Sequence, residues 1–221
     1  MGRWLLTIVG IAMLASCSVK TNEEKARELI EPQIKANLIK PESYEFAQIQ
    51  LDSCFSDDTD RNPKTIVLAI QLAKLYKEYN KYKEEAEDAE SNMTIFAPSF
   101  GYQDAHSKQQ QQKYKAEMEK ALRKAATAKE NILQLYKDNL EFIKTFDSAK
   151  HEFSGWAVAF GYRAETAGGM KTMGASLFFL NKELTEITHS FSEEDLSLIQ
   201  SVSPDDLRYE FEEELKEILG E

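Results

Sequence analysis

The sequence predicts an α+β fold: a small antiparallel meander sheet packed by helices, with a long antiparallel coiled-coil hairpin inserted into it. Three observations lead there. Between Lys64 and Phe146 apolar residues recur at alternating steps of four and three, which makes a coiled-coil seam in each half of the stretch. The first seam is Leu68, Leu72, Leu75, Tyr79, Tyr82, Ala86, Ala89, Met93 and Phe96; the second is Tyr114, Met118, Ala121, Ala125, Ala128, Ile132, Leu135, Asn139, Phe142 and Phe146. After Phe146 the period drops to two, with Trp156, Val158, Phe160 and Tyr162 alternating with Ala157, Ala159, Gly161 and Arg163, as on a strand with one bulky face. Near the C-terminus Ser192 precedes Glu193 and Glu194, and Ser203 precedes Pro204, Asp205 and Asp206, both in the form of helix N-caps with early acids.

The two seams fit each other. In an antiparallel hairpin the numbers of facing residues keep a near-constant total, and Leu68/Phe142, Leu75/Leu135, Tyr82/Ala128, Ala89/Ala121 and Phe96/Tyr114 do so. The interleaved pairs Leu72/Asn139, Tyr79/Ile132, Ala86/Ala125 and Met93/Met118 total one more. At ~1.5 Å per residue each arm spans roughly 40 to 50 Å. Two chains pairing through these seams is the alternative to a hairpin within one chain. The predicted organisation is a leader at 1–16, a tether at 17–22, a body from 23–63 and 147–221, and the inserted hairpin at 64–146.

At the start of the chain Arg3 precedes an apolar run from Trp4 to Leu14, too short for a comfortable membrane span and laid out as an export signal. Leu14, Ala15, Ser16 and Cys17 resemble the lipobox of bacterial lipoprotein precursors. The resemblance implies cleavage before Cys17, which would carry a thioether-linked diacylglycerol and an acylated amine, and several acyl chains hold where one is marginal. Ser18 after that cysteine resembles an outer-membrane sorting signal, so the expected address is the cell envelope at the outer membrane. With Cys17 acylated, Cys54 has no cysteine to pair with and reads as a buried small residue. The net charge of −11, or −12 once Arg3 leaves with the leader, disfavours nucleic acid and anionic lipid as partners.

In chain order, Glu23 to Ile39 reads as a helix with Ala26, Leu29, Ile30, Ile34 and Leu38 on one side, restarted or kinked at Pro32. Tyr44 to Leu51 reads as a strand, and Ser53 to Pro63 as an acidic loop that fails as a calcium loop, with Pro63 and Ala69 where glycine and glutamate are needed. Thr172 to Leu180 and Leu184 to Phe191 are two further strands, turned at Ala167-Gly168-Gly169 and at Asn181-Lys182. Leu207, Phe211, Leu215 and Ile218 line one face of an acidic C-terminal helix. The Lys40-Pro41-Glu42-Ser43-Tyr44 stop, together with Tyr162-Arg163-Ala164 and Gly168-Gly169, is similar to a pattern in small bacterial lipoproteins and periplasmic domains. That resemblance implies an architecture and no activity.

Candidate functional residues are few. Ile95, Phe96, Pro98, Phe100 and Tyr102 put apolar surface at the hairpin tip, where Phe96, Phe100 and Tyr102 are the candidate contacts for a protein partner in the envelope; the other reading is that the loop folds back over the last seam layer. Arg163 near the glycine pair is the candidate for an anionic ligand, with an ion pair as its structural alternative. His151-Glu152 begins a zinc-protease pattern, but Gly155 stands where its second histidine belongs. The sequence points to no cofactor and no metal. A membrane-anchored, non-catalytic interaction or structural protein is the leading expectation, and a small-ligand binder or hydrolase with its site near Arg163 the alternative.

Overall fold

The computed structural model describes residues 20–98, 104–202, 207 and 209–220. Helix α1 (Asn22–Asn37) starts on a reciprocal cap: the Glu24 amide donates to Thr21 Oγ1 at 3.2 Å, and the Thr21 amide donates to Glu24 Oε2 at 2.8 Å. It runs through Pro32 as one helix. Its Ala26, Ile30 and Ile34 are buried against Val158, Phe160, Phe178 and Leu180 of the sheet.

Four strands, β1 (Glu45–Phe55), β2 (Phe153–Glu165), β3 (Lys171–Leu180) and β4 (Ile187–Ser192), pair antiparallel in the order of the chain. The sheet is the meander that the alternation predicts, and its core is two-sided. One face packs under α1. On the other, Cys54, Ala157, Phe179 and Phe191 are buried with Ile66 and Ile70, and with Leu196 and Ile199 of α5 (Glu193–Gln200). Ser192 caps α5, its Oγ accepting from the Asp195 amide at 3.1 Å.

Two strand boundaries differ from expectation. β1 continues through Asp52, Ser53, Cys54 and Phe55, which the sequence reads as the beginning of a loop, because these residues pair with Ala157, Trp156, Gly155 and Phe153. Gly155 is needed there: it holds φ 152°, and a Cβ would lie 2.3 Å from the Leu180 carbonyl oxygen. β4 begins at Ile187 and not at Leu184. Leu184 sits in the turn at φ 56° with its side chain buried, held as Asn181 Oδ1 accepts from the amides of Thr185 (2.8 Å) and Glu186 (3.2 Å). Burial of a leucine and a side-chain-bridged turn together outweigh the cost of that backbone conformation.

The long hairpin is present within one chain. Helix α2 (Pro63–Ile95) has 33 residues and α3 (Ala105–Asp138) 34, each about 50 Å long. Asn62 caps the first, with Pro63 in its opening turn, and Asp104 the second. The Phe96 and Tyr114 rings stack at 5.8 Å, as the arithmetic of the seams requires. Asn139 ends α3: its Nδ2 donates to the Leu135 carbonyl at 2.9 Å, and a short helix α4 (Leu140–Thr145) follows. The second seam therefore breaks at its one polar member. The whole arm leaves the sheet after Phe55 and returns at Phe153, which are register partners.

Helix α6 (Glu212–Leu219) lies on the arm. Its Leu215 is buried with Leu207 and Phe211, which precede it, against Leu72 and Ile132; the expected apolar face is kept, but the helix is interrupted at Phe211. The proposed cap at Ser203 lies outside the described residues.

Candidate functional site

The C-terminal segment clamps the lower part of the arm. Phe211 packs edge-on against Tyr79 at 5.3 Å, with the Lys129 ammonium 5.5 Å from its ring centre. Glu210 accepts from the Tyr79 hydroxyl at 2.8 Å and from Lys83 Nζ at 2.9 Å, while Lys129 pairs with Glu214 at 2.6 Å. Lys83, and then the Tyr79 hydroxyl, hold the Glu210 carboxyl below its ordinary range. Burial, and then the Glu210 carboxylate, push the Tyr79 phenol up to about 12.

The sign of the pH effect follows. A carboxyl whose pKa is lower folded than unfolded stabilises the fold above the unfolded value, and that contribution disappears as pH falls through the folded one. Glu210→Gln is expected to lower the denaturant midpoint at pH 7, and the gap to wild type is expected to close as pH falls through the lowered range of the folded carboxyl. Urea titrations of both proteins from pH 7 to pH 3 check it; a gap that persists in acid removes the charge from the explanation.

Beyond the clamp the seam narrows to Ala86, Ala89, Ala121 and Ala125, all buried, so the two helices approach closely. Ile95 at the end of α2 is 73 % exposed, and Leu122 is 52 % exposed. Phe96 closes the last seam layer between Tyr114 and the His106 ring, 6.5 Å away. Of the three expected tip contacts it is thus partly used by the arm itself; Phe100 and Tyr102 lie outside the described residues. Among the described tip residues Ile95 and Pro98 are left exposed.

Arg163 is exposed on β2, between its register partners Glu45 of β1 and Met173 of β3. The ion pairs around it belong to others, since Lys171 pairs with Glu45, and Lys40 with Glu165 at 2.9 Å. The nearby strand positions, Ala159 and Ala175, are small and exposed. Among the described residues no second candidate site residue is brought to Arg163.

A cavity of about 240 Å³ opens at the base of the arm, lined by Cys54, Ser56, Asn62, Ser154, Trp156 and Thr188 among others. Its polar groups already serve the fold: Ser56 Oγ donates to the Glu152 carbonyl, Asn62 Nδ2 to that of Ser56, and Thr188 Oγ1 to that of Phe179. Cys54 is 2 % exposed, and burial followed by the Asp58 charge pushes its thiol up to about 11, so it stays protonated at neutral pH. His151 stacks on Phe55 at 4.1 Å and meets Asp57 through Nδ1 at 2.9 Å, His106 is at the tip, and His189 is on β4. Among the described residues no three His, Cys, Asp or Glu side chains form a group able to hold a metal ion, and no helix is long and apolar enough to cross a membrane.

Sequence reasoning missed two features of the arm. One is the clamp, because an amphipathic face does not say what it packs on. The other is a charged trough along the opposite side of the seam, where Lys120 and Lys124 of α3 face Glu85 and Asp88 of α2. Its signal was available in the same facing-pair arithmetic, applied to charges instead of apolar residues. Set against known protein families, curated proteins and solved structures, the chain matches none.

Proposed function

We propose that the chain is a membrane-anchored lipoprotein of the cell envelope, held through Cys17, whose helical arm engages another envelope protein in a non-catalytic role. The observation that carries this reading is the construction of the arm. It is an excursion out of a single β-hairpin, clamped along its lower part by the C-terminal segment, with an exposed isoleucine at its far end. Local rigidity below and open apolar surface above suit a contact device better than a packing element, which would bury its tip. The proposed contact surface comprises Ile95 with the neighbouring Phe96, Phe100 and Tyr102.

A photo-crosslinking residue placed at Ile95 in intact cells is expected to capture one discrete partner that the same residue at Lys171, on the sheet, does not. Identical products at both positions, or none from Ile95, would move the contact surface off the tip. Ile95 is preferred to Phe96 for this purpose, since replacing Phe96 also removes the ring that Tyr114 stacks on.

A further inference from the structure

The charged trough lies on the side of the seam away from the C-terminal clamp. Two neighbouring grooves, of about 320 and 360 Å³, share Lys120 and Lys124 as lining and together extend from Glu78 and Asn131 to Asn92 and Glu117, roughly 20 Å along the arm. Buried Ala89 and Ala121 form part of its floor, so a neighbouring helix is able to come close. Its walls differ in sign. The α2 wall carries Glu78, Glu85 and Asp88; the α3 wall carries Lys120, Arg123 and Lys124, with Glu117 at one end.

Among the described residues these charges form no ion pair across the trough; Glu85 and Glu117 pair only with lysines of their own helices, Lys81 and Lys113. Lys120 and Arg123 pair with no carboxylate among the described residues, Lys124 lies over the Tyr82 ring at 4.7 Å, and Glu85 reaches only Lys81, at 3.9 Å. A coiled coil normally joins such flanking acids and bases across its own seam. Here they stand on opposite walls and leave both sets free to face outward.

We infer that this trough is the interface between two copies of the chain, whose arms pack face to face and point the same way, forming a four-helix bundle in which neighbouring helices run antiparallel. The occupant follows from charge and symmetry. A self-complementary surface needs a two-fold axis, and only two directions of that axis bring the troughs together. An axis across the arm would lay α2 on α2 and α3 on α3, acid on acid and base on base. An axis along the arm lays the acidic α2 wall of one copy over the basic α3 wall of the other. Glu85 with Lys124, and Asp88 with Lys120, lie at matching heights on the two walls. The charges of one copy therefore meet their complements in the other without any sliding. Both tips then point the same way, and both N-terminal ends lie toward one side. This inference concerns a different face from the tip and stands or falls independently of it.

Sedimentation equilibrium of the purified full chain tests it, with no other protein present. Wild type is expected to dimerise, with a dissociation constant that rises as salt is added. The double variant Glu85→Lys/Asp88→Lys and the double variant Lys120→Glu/Lys124→Glu are each expected to weaken self-association about ten-fold or more, through like charges facing across the two-fold. Mixed in equal amounts, the two variants are expected to recover a dimer, which a variant that had merely lost its fold would not do. A monomeric wild type at about 100 μM, a dimer indifferent to both reversals, or a mixture that fails to recover would each overturn the inference, that concentration being the weak end of transient association.

Discussion

Phe211→Ala is expected to release the C-terminal segment from the arm and to cost about 3 to 5 kcal/mol of stability, the usual range for emptying a fully buried phenylalanine site. Phe211 is completely buried, with Tyr76 and Tyr79 edge-on around its ring, Lys129 over it, and Leu72, Ile132, Leu207 and Leu215 in the same cluster. Few of these neighbours can close the gap, because they stand on two long helices whose spacing is set elsewhere along the seam. The loss goes beyond the hydrophobic term. Glu210, beside Phe211, holds both Tyr79 and Lys83, so a loosened segment also withdraws the acceptor from a half-buried phenol. Chemical denaturation reads the energy, and limited proteolysis reads the place. Early cleavage after Val202, with the arm and sheet still intact, is the expected pattern; a variant cleaved everywhere at once would mean that the clamp and the body are one cooperative unit.

Cys17→Ser is expected to abolish membrane attachment altogether, moving the protein from the membrane to the soluble fraction and ending incorporation of labelled fatty acid. The expectation rests on the lipobox resemblance, since an oxygen in place of sulfur leaves no thioether to form. The described chain adds geometry to it. Lys20 pairs with Glu28 at 2.6 Å and Thr21 caps α1, and only Ser18 and Val19 lie between Cys17 and Lys20 in the sequence. Three residue steps reach about 10 Å at most, so an anchored Cys17 would hold the start of α1 close against the bilayer. Fractionation and labelling of the variant decide the matter. Unchanged membrane recovery with unchanged labelling would remove the anchor from the proposal.

Much of this fold was legible because its strongest signals are periodic and because the partner of each signal lies in the same chain. The arm is the clearest case: two seams of matched length specify their own register, and the Phe96–Tyr114 stack falls where the arithmetic puts it. That same stack shows a limit. In sequence Phe96 reads both as the last seam residue and as a free tip contact, and one side of a ring cannot serve both roles. The end of β1 was illegible because Asp52 and Ser53 have loop-like composition, while the pairing that makes them a strand comes from β2, far along the chain. Leu184 was misplaced for a related reason, since a buried leucine in a turn looks in sequence like the first residue of a strand. The trough is invisible to the net charge, because a sum erases the separation of signs between facing helices.

The sheet depends on the arm in a way that concerns time as well as space. β1 and β2 are neighbours, yet Phe55 and Phe153 meet only after the chain has travelled the full length of the arm and back. Closing an unstructured loop of that length costs conformational entropy that grows with the logarithm of the number of residues. A helical hairpin changes this cost, because its contacts zip from the tip downward, each between residues only slightly farther apart than the last. Once it has zipped, Lys64 lies over the Phe142 ring, 4.3 Å from its centre, and the remaining closure spans only about ten residues at each end. A pairing that is remote along the chain becomes, kinetically, a local one.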